Sequence, residues 1–477
     1  MSTPQDRNLE SLTQGPIVKT LFTLATPLIL ANLLLTSHQL INTLWVGRLG
    51  ANAVAAVSSS FSILFIVITL SSGLSMAGSI LVAQYAGARN FDMVNRVAAQ
   101  NLLLTLAVSL TLSLAFYFAA PQLLHRVGTP REIMADALPY MRLSLLGGMF
   151  SFIQTMFQSL LRGVGEVKAP LRIAFAGVML NLVLDPLFIF GWGPVPAGGV
   201  FGAACATLLA QALMAAIGLF LLCGNRFKVQ LRLSNMAPDG KLFMRILKLG
   251  IPGSIEQSTQ ALGITALTAI ASQFGTMAIA AYGIGFRLYS FAMLPAIGIS
   301  MATSTLVGQN VGAGNYQRAR QIAFSAAWRT TGFLILVSLV FCTFTTPLVR
   351  MFVPNDPALV PEAVAAVRYM SLSLGLLGVQ SCIVGALRGS GDTFAAMTCA
   401  FIGIWFVQIP LALALSKYTP LGTIGLWLSY PAGSLTVATL AFVRLRSGHW
   451  QKHRLTRSTA KTPLSSANEA LAEENRL

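Results

Sequence analysis

Asp185 stands inside the apolar run Asn181-Leu-Val-Leu-Asp185-Pro186-Leu-Phe-Ile-Phe. Asn181 lies four residues earlier, on the same face of a helix. Pro186 has no N–H, so it kinks that helix or exposes a carbonyl. An ionised carboxylate in the middle of a bilayer costs about 3 kcal/mol. It must therefore hold a proton, pair with a cationic side chain, or bind a cation. The oxygens of Asn181 and Asp185 suit a hard monovalent cation, and Thr207, in Gly202-Ala-Ala-Cys-Ala-Thr207 on the next run, can add a hydroxyl. Glu256 sits in a second apolar run, four residues after Pro252, and Arg287 lies near the middle of the run that follows. Isolated buried charges are costly, so the simplest expectation is a Glu256–Arg287 ion pair, with a part in substrate or proton handling as the alternative. His38, one turn before Asn42, carries the side-chain type that can relay protons near neutral pH, although a hydrogen-bonded packing role is the plainer reading. Flexible apolar side chains on the fourth run, Phe150, Phe152, Met156 and Phe157, are candidates for an adaptable substrate pocket.

The elements that carry these residues follow from composition. Of 477 residues, 55% are hydrophobic and 10% charged, with a mean hydropathy of +0.70. Soluble proteins carry about a quarter charged residues, so the solvent for this surface is a bilayer. A span needs about 20 apolar residues. Twelve fit, at roughly 18–43, 52–77, 97–121, 134–159, 168–191, 198–224, 243–268, 277–302, 324–348, 363–387, 393–416 and 420–446, leaving no room for a large soluble domain. The runs are too long and too uniformly apolar for barrel strands, so the expected fold is all-α.

The net charge of +17 would suggest nucleic acid in a soluble protein. Here it resolves into sidedness: 23 Lys and Arg fall on the termini and even-numbered loops and 7 on the odd loops. That bias places both termini in the cytoplasm. Residues 1–15 are expected to be a cytoplasmic segment ahead of a retained first span, 225–242 a cytoplasmic inter-lobe loop, and 447–477 a disordered cytoplasmic tail. Neither end shows a lipidation motif. Cys205, Cys223, Cys342, Cys382 and Cys399 lie in apolar runs without CxxC spacing and read as packing residues.

The chain also repeats itself. Ser75–Asn90 reads SMAGSILVAQYAGARN and Ser300–Asn315 reads SMATSTLVGQNVGAGN, identical at ten of sixteen positions at an offset of 225. The same offset pairs Pro27 with Pro252 and Gly50 with Gly275. Gln154 pairs with Gln380, and Leu161-Arg162-Gly163-x-Gly165 with Leu387-Arg388-Gly389-x-Gly391, at 226. Each half therefore holds six spans, an N-lobe over 16–224 and a C-lobe over 243–446. Six is even, so both halves enter the membrane the same way and are related by a pseudo-twofold axis along its normal. Two such lobes leave a central cleft that rocking opens to alternate sides. Within the repeat, Gln84-x-x-Gly87, Gln309-x-x-Gly312 and the two LRGxG sequences are expected to be helix-end turns anchored by a cation, with a direct role in gating as the lesser alternative.

GQNVGAGN and its echo AQYAGARN, the paired LRGxG, and the Asn181–Asp185-Pro186 run resemble the multidrug and toxic compound extrusion (MATE) family, over about residues 16–446. The resemblance implies twelve helices in two lobes and export of organic, often cationic, compounds driven by inward sodium or proton flow across a bacterial inner membrane. It maps the family's N-lobe cation site onto Asn181, Asp185 and Thr207. Many members carry an acid in the first span, and here Asn42 holds that position, leaving one carboxylate instead of two. One Asp is neutralised by either a proton or Na⁺, but the lost ligand favours the proton. The C-lobe glutamate of some members maps nearer Gln260 than Glu256. No cofactor or resident metal is expected, the protein is expected to be a monomer, and no nucleic acid partner follows. A lipid-linked oligosaccharide flippase of the same superfamily is the nearest alternative, but extra spans and a strongly cationic cavity are missing. Another 6+6 secondary transporter of the major-facilitator type is the next, but its signature basic loop between the second and third spans is absent. H-E-x-x-H, a lysine P-loop and G-x-S-x-G are all absent, which argues against an enzyme and against direct use of ATP.

Overall fold

The structure, a computed structural model, describes residues 10–194, 196–224, 227–353 and 356–456. Its N-terminal half comprises α1 (Ile17–Gly47), α2 (Ala51–Gly87), α3 (Phe91–Arg126), α4 (Arg131–Gly163), α5 (Lys168–Phe190) and α6 (Gly199–Cys223). The second half comprises α7 (Gly240–Ser272), α8 (Thr276–Gly312), α9 (Tyr316–Thr343) with a short continuation α10 (Thr345–Phe352), the bent pair α11 (Leu359–Ser371) and α12 (Leu374–Ser390), α13 (Thr393–Phe401) and α14 (Ile409–Lys417) joined by a π-helical stretch Ile402–Gln408, and α15 (Thr423–Arg446). These give twelve passages, and each expected span falls on one. Among the described residues, nine helices are long and apolar enough to cross a membrane, or ten if the pair bent by 42° counts as one span. The long helices α4 and α7 fall outside that set because uncharged polar residues lower their hydropathy even where charges are absent or single, Gln154 and Gln158 on α4 and Gln257, Ser258, Thr259 and Gln260 on α7.

The helices run antiparallel, so both chain ends lie at one end of the bundle, called here the terminal face. α2 packs on α3, α4, α7 and α8, while α8 packs on α1, α2, α9, α11 and α12. The two lobes exchange material. Leu21, Leu24 and Leu28 of α1 are buried in a core built mostly from α8, α9, α12 and α15. Leu242, Ile246 and Leu249 of α7 are buried in the opposite core of α2, α3 and α4. In both helices the exchanged residues cluster within about three turns of the repeat-related prolines, Pro27 and Pro252.

Close backbone crossings obey the same pseudo-symmetry. A Cβ on Gly73 would lie 2.4 Å from the Ser254 nitrogen on α7, and a Cβ on Gly298 3.0 Å from the Ile29 nitrogen on α1. A Cβ on Gly87 would lie 1.9 Å from the Gln309 carbonyl oxygen, and one on Gly312 1.9 Å from that of Gln84. Only glycine permits this approach.

The inter-lobe loop is held down. Gln100 donates to the carbonyls of Asn235 and Ala237 and accepts from the Asp239 N–H, Asn95 accepts from the Gln230 N–H, and Arg96 pairs with Asp239 at 2.8 Å. The tail expected to be disordered from 447 continues as ordered chain to Thr456, with Trp450 wholly buried and its Nε1 donating to the Leu445 carbonyl at 2.8 Å. Residues 457–477 lie outside the described residues.

Candidate membrane cation site

Asp185 is wholly buried on α5, and Asn181 is 4% exposed one turn below it on the same face. Both Asp185 carboxylate oxygens and the Asn181 Oδ1 have no hydrogen-bond partner among the described residues. Three buried oxygen atoms brought together without a protein donor among the described residues form an arrangement that is rare for buried polar groups. A proton or a small cation satisfies them. Pro186 leaves the Leu182 carbonyl without its intrahelical partner, which adds a potential acceptor to the same turn.

The surrounding helices bring the other candidates to matching depths. α1 packs along α5, and both run outward from the terminal face. Asn42 and Asp185 each lie five residues before the ends of their helices, roughly 7 Å along the axis. His38 and Asn181 lie one turn deeper, and His38 Nε2 is also buried without a partner. α6 descends antiparallel to α5, and Thr207 lies eight residues in, roughly 12 Å from its start and level with Asn181. Thr207 and Asn42 are half-buried. Tyr140 of α4 is a member of this site that sequence reasoning missed. It packs against Val46 of α1, Ile189 of α5 and Ala203 of α6, the helices that carry Asn42, Asp185 and Thr207. A tyrosine in an apolar helix at the depth of Asn181 is the signal that points to it.

Among the described residues the matching passage of the C-lobe carries no counterpart. The passage Thr393–Lys417 contains no acid. In that lobe a cluster of phenols occupies the outer half instead, with the Tyr282 and Tyr430 hydroxyls 2.9 Å apart and Tyr282 stacked on Trp427.

Glu256 is buried as expected, but its partner is different. Arg287 does not pair with it, because Arg287 is exposed on α8. Glu256 instead receives Arg388 of the second LRGxG in a two-pronged pair, Nε to Oε2 at 3.1 Å and Nη2 to Oε1. The helix face explains the correction, since Arg287 projects outward while Arg388 projects into the lobe. Gln260, one turn beyond Glu256, is half-buried and takes no part in the pair. Met156 and Phe152, candidate pocket residues, are 0% and 2% exposed and pack in the N-lobe cores.

The Gln-x-x-Gly and LRGxG sequences are helix ends, as expected, and they also grip each other across the lobes. The Gln84 amide donates to the carbonyls of Gly389 and Ser390 at 3.2 and 2.9 Å, and the Gln309 amide donates to the Gly163 carbonyl at 2.9 Å. Each glutamine thus reaches the LRGxG turn of the other half.

The family described as MatE matches the chain twice, over residues 27–187 and 252–414, one match in each lobe. The chain belongs to the MatE family. The family is one of membrane transporters and not of enzymes, so a bilayer and small-molecule substrates come with membership. Among relatives of this MatE protein, a probable multidrug resistance protein NorM of Thermotoga maritima is 30% identical over 446 residues, covering 93% of this chain and 96% of the relative. A probable multidrug resistance protein YoeA of Bacillus subtilis is 28% identical over 441 residues, covering 90% and 94%. A solved structure described as a MATE transporter in the bent conformation has a TM-score of 0.88 at 24% identity, covering 96% of this chain and all of that one. One described as the outward-facing conformation of a multidrug resistance MATE family transporter has a TM-score of 0.87 at the same identity and coverage. The fold is therefore that of the family, twelve transmembrane helices in two lobes.

Proposed function

We propose that this MatE protein is a secondary active exporter of organic, often cationic, compounds, driven by inward flow of protons in preference to sodium, in a bacterial inner membrane. The unpartnered carboxylate of Asp185, buried beside the unpartnered Asn181 oxygen, carries this reading. The relatives are named for multidrug resistance and are bacterial, which supports the substrate class and the membrane. The 23-to-7 charge bias supports a cytoplasmic terminal face. Asp185 then lies in the outer half of the bundle, within reach of external cations.

In this reading the lobes are shut at the terminal face, and a proton entering from outside neutralises Asp185. The neutral carboxyl becomes a donor to Asn181 or to the freed Leu182 carbonyl, and the local packing of α5 against α1 changes. Tyr140 and Thr207 supply hydroxyls at the same depth, and His38 lies where a proton can pass between Asp185 and the cleft. Substrate held against the N-lobe is released outward. The lobes then rock open at the terminal face, the proton leaves to the cytoplasm and a new substrate enters.

The test is transport of a cationic dye by purified protein in liposomes under separate proton and sodium gradients. A proton gradient is expected to drive uptake in wild type and to fail in Asp185→Asn. Full transport by Asp185→Asn at equal protein load overturns the proposal.

A further inference from the structure

We propose that the two chain ends are reciprocal straps that hold the terminal face shut and limit how far the lobes can part there until they detach, with Gln84 and Gln309 as the positioning residues of that closure. The proposal rests on the alternating-access reading above and assigns the groups that govern one of its two states.

The C-terminal strap begins at Trp450, which is wholly buried in the core of α8, α9, α12 and α15 and packs edge-on against Tyr316. Five residues later the chain reaches the other lobe. The Leu455 N–H donates to Gln84 Oε1 at 2.8 Å, and the Leu455 side chain packs on the core of α2, α3 and α4. Between them Arg454 donates to the Gly312 carbonyl at 3.1 Å and His453 lies 3.7 Å from Asp392. The N-terminal strap is its counterpart. Leu12 is 2% exposed in the C-lobe core, its carbonyl accepts from Asn310 of α8 at 3.3 Å, and the Gly15 carbonyl accepts from Arg318 of α9.

Both straps cover the same structural position. A Cβ on Gly165 would lie 2.3 Å from Leu12 Cδ1, and one on Gly391 would lie 3.5 Å from Leu455 Cδ1. These glycines end the two LRGxG turns, and both have positive φ, +82° and +94°. Each chain end therefore bridges the LRGxG turn of one lobe to the helices of the other.

The Gln84 amide explains why closure and strap are coupled. Its N–H groups serve Gly389 and Ser390 of the opposite lobe, and its oxygen serves Leu455, so its hydrogen-bonding capacity at this junction is taken up by groups that belong to the C-terminal half. Gln309 is bonded only to Gly163 among the described residues, and its oxygen is buried without a partner there. The closure is thus tighter on the Gln84 side. Five residues of extended chain reach at most roughly 17 Å, so the strap limits how far the lobes can part at this face while Trp450 and Leu455 both stay seated. Opening beyond that reach must pull Leu455 from Gln84.

The experiment places spin labels at Asp92→Cys and Gln317→Cys, two exposed repeat-related positions at the terminal ends of α3 and α9, in a chain freed of its five native cysteines. Distances between labels are measured by pulsed electron resonance in liposomes without substrate. Gln84→Ala, Leu455→Ala and a chain ended after Ser447 are each expected to enlarge the long-distance population about fivefold, the weight of one or two hydrogen bonds in Gln84→Ala and of the lost side-chain burial in Leu455→Ala, whose backbone N–H is kept. An unchanged distribution in Gln84→Ala and Leu455→Ala overturns the proposal, and these two decide if the shortened chain does not fold. The readout is lobe separation, so a failure of the efflux reading leaves it intact, and a failure here leaves dye transport by wild type unaffected.

Discussion

Glu256 and Arg388, 132 residues apart in the chain, meet in a two-pronged ion pair inside the C-lobe, the carboxylate side chain 2% exposed and the guanidinium 22%. Arg388 directly precedes Gly389 and Ser390, whose carbonyls the Gln84 amide of the other lobe grips. The pair therefore fixes the orientation of the turn on which the lobes lock. Among the described residues the N-lobe has no such pair. Ala31 occupies the position related to Glu256 at an offset of 225, and Arg162 has no carboxylate against it among the described residues.

Removing one member of a buried pair leaves the other uncompensated. Glu256→Gln is expected to cost about 3–5 kcal/mol and to lower Tm clearly in a thermal-shift assay on the purified protein. Arg388→Lys keeps the charge but loses the fork, and is expected to lose less. Equal Tm values for Glu256→Gln and wild type would show that the pair carries no structural weight.

Asp185→Asn keeps the size of the side chain and removes its charge. Because the carboxylate has no partner to lose, the variant is expected to be as stable as wild type while losing gradient-driven efflux. Measuring Tm and dye transport on the same preparation separates the two roles. A large drop in Tm would mean that Asp185 serves packing.

Asn42 shares the depth of Asp185 on the adjoining α1. Asn42→Asp places a second carboxylate in the site, and hard oxygen ligands with negative charge favour a monovalent metal cation over a single proton. Sodium-driven transport in liposomes is expected to rise several-fold over wild type, with the proton-driven rate reduced. No gain with sodium would show that Asn42 lies outside the coordination sphere.

Much of this is legible in the chain because a bilayer permits few solutions. Backbone groups in lipid must be satisfied within helices, so twelve long apolar runs dictate twelve helices. The duplicated Gln-x-x-Gly and LRGxG sequences carry the pseudo-symmetry by themselves. Asp185 announces itself as an acid in an apolar run. The partner of Glu256 is hidden because pairing depends on which way each helix face points, and Arg287 and Arg388 look alike in one dimension. Met156 and Phe152 mislead for a related reason: an apolar side chain reads the same whether it faces a cleft or fills a core. The polar composition after Gly448 conceals one anchoring tryptophan, and the grip of Gln84 on Gly389 joins residues 305 apart that no local pattern connects.

The crossing of α2 and α8 gives a paired glycine test. At Gly312 a methyl group would lie 1.9 Å from the Gln84 carbonyl oxygen, a backbone atom that can yield only if the helices separate. Gly148, on α4, has nothing within 4 Å of its added carbon. Alanine is favoured over glycine in a helix by about 1 kcal/mol. Gly148→Ala is therefore expected to hold or raise Tm with transport unchanged. Gly312→Ala is expected to lower Tm and to slow transport, because the lobes can no longer close on the Gln84 and Gln309 bonds. If the two variants behave alike in both assays, contact between the α2 and α8 backbones is not what holds the terminal face together.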